Sequence, residues 1–144
     1  MLELAGINED PTKALDDGRA YATWIEMVKA QGGDPNVKLP VADKKEMIVA
    51  NKSGYITKLD AYAVGLSAWR LGAGRVKKED DVSKIAGIIC VAKEGDFVEE
   101  GQPILELHID DESRLKSAKE ALQDAFEISP EALEPRKIVI ERIA

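Results

Sequence analysis

The chain has 144 residues, with 20 Lys+Arg against 27 Asp+Glu, a net charge of −7, one Cys and one His. That length suits one domain, or a small domain with an appendage, and buries about two thirds of the unfolded surface. The acidic balance argues against a basic duplex-binding footprint, no run of about 18 apolar residues is present to span a membrane, and 44% apolar content argues against disorder.

Met1 to Asp10 carries acids where a secretory signal needs bases. A single Cys90 makes no internal disulfide, so a reduced cytoplasmic compartment is expected. His108 alone supplies no multi-histidine metal cluster.

Residues 1–35 read as a helical segment. Pro11 can open a helix, because its missing N–H costs nothing in the first turn. Tyr21, Ile25 and Val28 recur on one helix face with Trp24 alongside. Gln31-Gly32-Gly33-Asp34-Pro35 stops it. One amphipathic helix with a short lead-in makes no core, so the segment is expected to end a preceding region. A polar linker with Pro40 follows over 36–46, and the body of the domain is expected over 47–144.

Met47-Ile48-Val49-Ala50 and Tyr55-Ile56-Thr57-Lys58-Leu59 read as strands about the Ser53-Gly54 turn. Asp60 caps a predicted helix with Ala61, Val64, Ala68 and Leu71 at helical spacing. Small Ala61, Gly65 and Ala68 are expected to let it lie close to a sheet, and Gly72-Ala73-Gly74 to end it. Arg75 to Lys84 reads as a charged loop.

Gly87 to Lys93 reads as a buried strand, which makes Cys90 a structural thiol rather than the partner of His108 in a Cys–His catalytic pair. Turns at Glu94-Gly95-Asp96 and Glu100-Gly101-Gln102-Pro103 flank Phe97-Val98. Ile104 to Ile109 follows as a strand with Leu105, Leu107 and Ile109 on one face and Ile104, Glu106 and His108 on the other. Asp110 or Asp111 caps a predicted surface helix, Ser113 to Glu127, with Leu115, Ala118, Leu122 and Ala125 as its apolar face. Lys137 to Ile143 reads as a last strand. No internal repeat of useful period is evident. Strands and helices in an order that is not regularly βαβ predict an α+β fold.

Gly72-Ala73-Gly74-Arg75 follows a helix instead of opening one, so it reads as a helix stop and not as a phosphate loop. Asp16-Asp17, Asp80-Asp81, Glu99-Glu100 and Asp110-Asp111-Glu112 are candidate acid/base or metal-binding runs. Helix caps and solvated faces account for them equally in kind, and that reading is preferred. Trp24 and Trp69 read as packing residues, and His108 as a structural one.

Gly95-Asp96-Phe97-Val98-Glu99-Glu100-Gly101-Gln102-Pro103-Ile104-Leu105 resembles the hammerhead turn of biotinyl and lipoyl carrier domains, with Gly54-Tyr55-Ile56 as its first-half counterpart. That resemblance implies a barrel-sandwich architecture. Neither carrier motif occurs around Lys52 or Lys93, the nearest lysines, so a carrier or binding module is the alternative reading.

Over nearly its whole length the chain resembles the pyrimidine-nucleoside and thymidine phosphorylase family. The resemblance runs through Ala30-Gln31-Gly32-Gly33-Asp34-Pro35, Ser53-Gly54-Tyr55-Ile56, Leu71-Gly72-Ala73-Gly74-Arg75-Val76-Lys77-Lys78-Glu79-Asp80, Ala86-Gly87-Ile88, Gly95-Asp96-x-Val98 and Gly101-Gln102-Pro103-Ile104-Leu105, ending at His108. It implies a C-terminal α+β domain of barrel-sandwich type, preceded in the parent by helical and α/β domains that hold the active site. The parent reaction implied is reversible phosphorolysis of thymidine or uridine, with phosphate as co-substrate, no cofactor, and a homodimer. A related nucleotide phosphorylase is the other parent the resemblance allows.

The family's Lys-His-Ser phosphate motif is absent, since His108 precedes Ile109. No catalytic, cofactor-binding or metal-binding residue is therefore carried over. The loop Arg75 to Asp81 reads as an ordinary exposed loop, with a flap that touches the rest of the enzyme as the second reading.

Overall fold

The computed structural model describes residue 6 and residues 9–75, 77–134, 139–141 and 143. The chain divides into two units, Met1–Leu39 and Pro40–Ala144.

In the first unit, α1 spans Pro11–Asp16 and α2 spans Arg19–Ala30. Asp10 caps α1 by accepting from the Thr12 amide, with Pro11 in the first turn as expected. Gly18, at φ 82°, breaks the two helices apart. Arg19 then ties Asp17 and Glu9 together, 2.7 Å from each. Gly32 at φ 79° ends α2, and the Gly33 amide closes on the Val28 carbonyl. Neither helix has a buried residue. Ile25 and Val28 are half-buried, while Tyr21 and Trp24 are exposed and stack on each other at 5.6 Å.

In the second unit the strands are β1 Lys44–Val49, β2 Gly54–Leu59, β3 Gly87–Cys90, β4 Phe97–Val98, β5 Pro103–Ile109 and β6 Phe126–Ser129. The helices are α3 Ala61–Ala68, continued by a π turn at Trp69–Ala73, and α4 Leu115–Ala121 after a 3₁₀ turn at Glu112–Arg114. β1 starts at Lys44, three residues ahead of the expected Met47.

Two antiparallel three-stranded sheets form, in the orders β1-β5-β3 and β4-β2-β6. This makes the unit α+β, as expected. The order β-β-α-β occurs twice, as β1-β2-α3-β3 and β4-β5-α4-β6. Exchanging the halves turns one sheet into the other. Each half supplies two flanking strands of its own sheet and the central strand of its partner's. The repeat escapes the sequence because its spacing is irregular. Gly54 opens β2 and Pro103 opens β5, 49 residues apart, whereas β3 and β6 open 39 apart at Gly87 and Phe126.

The core forms where the halves interlock. Ile56, Val98, Ile104, Leu105, Leu107 and Leu71 are fully buried there, joined by Ala118, Leu122, Ala125 and Ile128. β5 carries the expected alternation from Leu105 onward: Leu105, Leu107 and Ile109 are buried, while Glu106 and His108 are only partly so; Ile104, expected on the face of Glu106 and His108, is fully buried as well.

Asp60 caps α3 by accepting from the Tyr62 and Ala63 amides. The buried stripe of α3 differs from the expected one. Ala63, Val64, Ser67 and Leu71 face inward, while Ala61 and Gly65 are exposed. Gly65 has nothing within 4 Å of where a Cβ would stand, so it permits no close approach. Gly65→Ala is accordingly expected to stabilise the protein by about 0.8 kcal/mol, read from the urea midpoint.

Three further expectations are corrected. Cys90 is exposed rather than a buried thiol, as are Ile89 and Val91. β3 is an edge strand, so an unbroken apolar run does not mean that both faces are covered. The helix expected over Ser113 to Glu127 ends at Ala121, and Phe126–Ser129 pairs with β2 instead. Leu122 and Ala125 keep their buried side through a turn, in which the Ala125 carbonyl accepts from the Asp60 amide at 2.7 Å. In the expected strand Lys137 to Ile143, residues 137, 138 and 142 lie outside the described residues, and Val139, Ile140 and Glu141 take no strand conformation.

Candidate functional site

A cleft of about 680 Å³ opens where α3 ends. Leu71 and Gly72 form one wall, Asp81 to Ile85 a second, and Asp110, Asp111 and Arg114 the third. Gly72 stands here because the chain turns at φ 113°, and because its missing Cβ leaves the Arg114 guanidinium only 3.3 Å from the position a Cβ would take. Gly72 to Gly74 ends the helix, as expected.

The walls are fixed from within. The Ser83 amide donates to the Gly72 carbonyl at 2.9 Å, and the Ser83 hydroxyl accepts from the Ile85 and Ala86 amides. Trp69 lies against Gly74, and its indole N–H donates to the Arg75 carbonyl at 3.2 Å. Arg70 donates to the Ser117 carbonyl at 2.7 Å. Residues 77–81 are exposed, with the Lys77 amide donating to the Asp80 carboxylate.

This arrangement does not fit a bound phosphate. Lys84 and Arg114 face three carboxylates, Asp81, Asp110 and Asp111, so the lining charges sum to negative. Asp111 is also engaged: it accepts from the Ser113 amide and hydroxyl, with Arg114 at 3.5 Å. The Ser113 bonds, above all, hold its carboxyl below the usual range. The lining also has no nucleophile paired to a base, since Ser83 is spent on backbone amides and neither His108 nor Cys90 reaches it.

The other acidic runs are dispersed. Asp17 accepts from the Arg19 amide and side chain, and these bonds lower its pKa. The Glu99 and Glu100 amides donate to Gln102 and Ser53. Among the described residues, no three His, Cys, Asp or Glu side chains gather where a metal ion could be held. Lys52 and Lys93 are exposed beside turns. No helix among the described residues is long and apolar enough to cross a membrane.

Another polar cluster lies on the opposite face of the β1-β5-β3 sheet from the core. Glu106 accepts from Lys45 Nζ and from His108 Nε2, each at 2.7 Å. The sequence places Glu106 and His108 on one face, two residues apart. It gives no sign of Lys45, which arrives through the register that sets it opposite His108. The Lys45 bond, chiefly, keeps the Glu106 carboxyl below the usual range; partial burial opposes it and the His108 bond adds to it.

A depressed carboxyl pKa contributes stability above the ordinary glutamate value of 4.5, and that contribution is lost as pH falls through the lower, folded value. The urea midpoint of Glu106→Gln should therefore fall below the parent's from about pH 7 to about pH 5. That margin should close on further acidification.

Fold and surface together define an α+β domain of two interlocked antiparallel sheets, without a group of side chains among its described residues that could hold a metal ion. The family model for the pyrimidine nucleoside phosphorylase C-terminal domain matches residues 55–129, and the chain belongs to that family. A thymidine phosphorylase of Mycobacterium tuberculosis (strain CDC 1551 / Oshkosh) is 38% identical over 144 residues, covering 99% of this chain and 34% of the relative. A pyrimidine-nucleoside phosphorylase of Staphylococcus aureus (strain bovine RF122 / ET3-1) is 41% identical over 101 residues, 67% of this chain and 23% of the relative. That of strain MSSA476 is 34% identical over 137 residues, 90% and 31% respectively. The chain thus spans about a third or less of the length of these relatives.

Proposed function

We propose that this chain is the C-terminal accessory domain of a pyrimidine-nucleoside, or thymidine, phosphorylase. The full-length parent performs reversible phosphorolysis of a pyrimidine nucleoside to the free base and a (deoxy)ribose 1-phosphate. The single observation that carries the reading is the 38% identity across essentially the whole chain to a thymidine phosphorylase about three times as long. The match to the family's C-terminal domain alone supports a domain that contributes no catalytic residue of its own.

In this reading residues 1–35 close the preceding region, 36–46 connect, and 47–144 form the domain. The division of the chain after Leu39 supports a boundary within that connection. The two-fold β-β-α-β order, with a tight turn after β1 and another after β4, supports the finer assignment to a hammerhead-type barrel-sandwich. The partners are the helical and α/β domains of the same polypeptide, which bind nucleoside and phosphate in a cytoplasmic homodimer. Their closure on the substrates excludes water from the reacting sugar.

A chimera tests this. The matching third of the M. tuberculosis thymidine phosphorylase is replaced by this chain, and thymine release from thymidine and phosphate is followed. The chimera is expected to be active and the same enzyme truncated before the replaced third inactive. A chimera no more active than the truncated enzyme contradicts the proposal.

A further inference from the structure

The β1-β5-β3 sheet buries one face, through Ile48, Ile88, Leu105, Leu107 and Ile109, against the core. Residues directly opposite in neighbouring strands point to the same side. On the other face the register therefore aligns Met47, Glu106 and Ile89 in one row, and Lys45, His108 and Gly87 in the next.

An antiparallel sheet with water on one face alternates apolar and polar residues, the polar ones outward. This sheet does not. Met47 and Ile89 stand outward at 43% and 51% exposure on either side of Glu106, with Val49 continuing the strip along β1. The polar groups between them are already shielded: the Glu106 and His108 side chains are 17% and 16% exposed. Exposed Met47, Ile89 and Val49 around polar groups that are already largely shielded mark this face as a contact surface.

His108 also specifies what meets it. The Glu106 carboxylate, held ionised by Lys45, can only accept, so His108 Nε2 donates to it. His108 Nδ1 carries no hydrogen bond among the described residues.

We propose that this face is covered by the part of the full-length phosphorylase that precedes this chain, through an apolar surface over Met47 and Ile89 and a hydroxyl hydrogen-bonded to His108 Nδ1. The inference rests on the proposed function. It commits to the preceding chain because the match is to a C-terminal domain and leaves some two thirds of the relative outside it.

Thiol labelling tests it. Ile89→Cys is placed in a Cys90→Ser background, in the 144-residue chain and in the M. tuberculosis chimera. Maleimide labelling of that position is timed by peptide mass spectrometry, since thiol reactivity follows access. Labelling is expected to be about tenfold or more slower in an active chimera than in the chain alone. Equal rates in an active chimera overturn the inference while leaving the proposed function standing. An inactive chimera overturns the proposed function, and this inference with it. Met47→Cys repeats the measurement on the other flank of Glu106, should the first variant not fold.

Discussion

Gly54→Ala is expected to cost about 3 kcal/mol or more, and to lower the melting temperature by about 10 °C or more. Gly54 opens β2 at φ 153°, a conformation that L side chains rarely adopt. A Cβ there would stand 2.6 Å from the Ser129 carbonyl oxygen and 2.9 Å from Ile128 Cγ2. The first neighbour is backbone and cannot rotate away. β6 must move, yet it pairs with β2 at Tyr55 and Ser129, and Ile128 is part of the core. Strain in β2 and a displaced edge strand therefore combine. The same substitution at Gly65 meets open space inside a helix, and its expected effect has the opposite sign. Parallel urea melts of the two variants check the pair. Equal effects would count against the close approach at Gly54.

Leu107→Ala is the second large loss, at about 3 kcal/mol. Leu107 is fully buried on β5, opposite Glu46 of β1 and Ile88 of β3. Because β5 is the second half's contribution to the first half's sheet, a void there loosens the contact that holds the halves together. Leu107→Met nearly conserves volume and should cost less than about 1.5 kcal/mol. Unfolding midpoints for the two variants, followed by fluorescence of the two tryptophans, separate a packing loss from a general intolerance of change.

Much of the second unit was legible in the sequence wherever local chemistry decides. Asp60 before an apolar helix, glycines at the helix stop, and the alternation from Ile104 to Ile109 all give the observed elements. Legibility failed where tertiary context decides. Leu115, Ala118, Leu122 and Ala125 keep helical spacing across a turn, and so concealed β6 behind a helix that ends at Ala121. An unbroken apolar run around Cys90 cannot reveal that β3 has one neighbour rather than two. The two-fold order is invisible because its halves differ in loop length and not in topology. The polar cluster shows the same limit: Glu106 and His108 are two residues apart, but Lys45 joins them only through strand register. Family membership was legible in the order of glycine-marked motifs along the sequence, and the family model and the relatives agree with it.

The proposed function places this chain in a phosphorolytic enzyme without giving it the chemistry. The most direct test incubates the purified 144-residue protein with thymidine and inorganic phosphate and follows thymine by chromatography. The predicted result is no release above a phosphate-free blank. Phosphate-dependent release of thymine in proportion to protein concentration would contradict it.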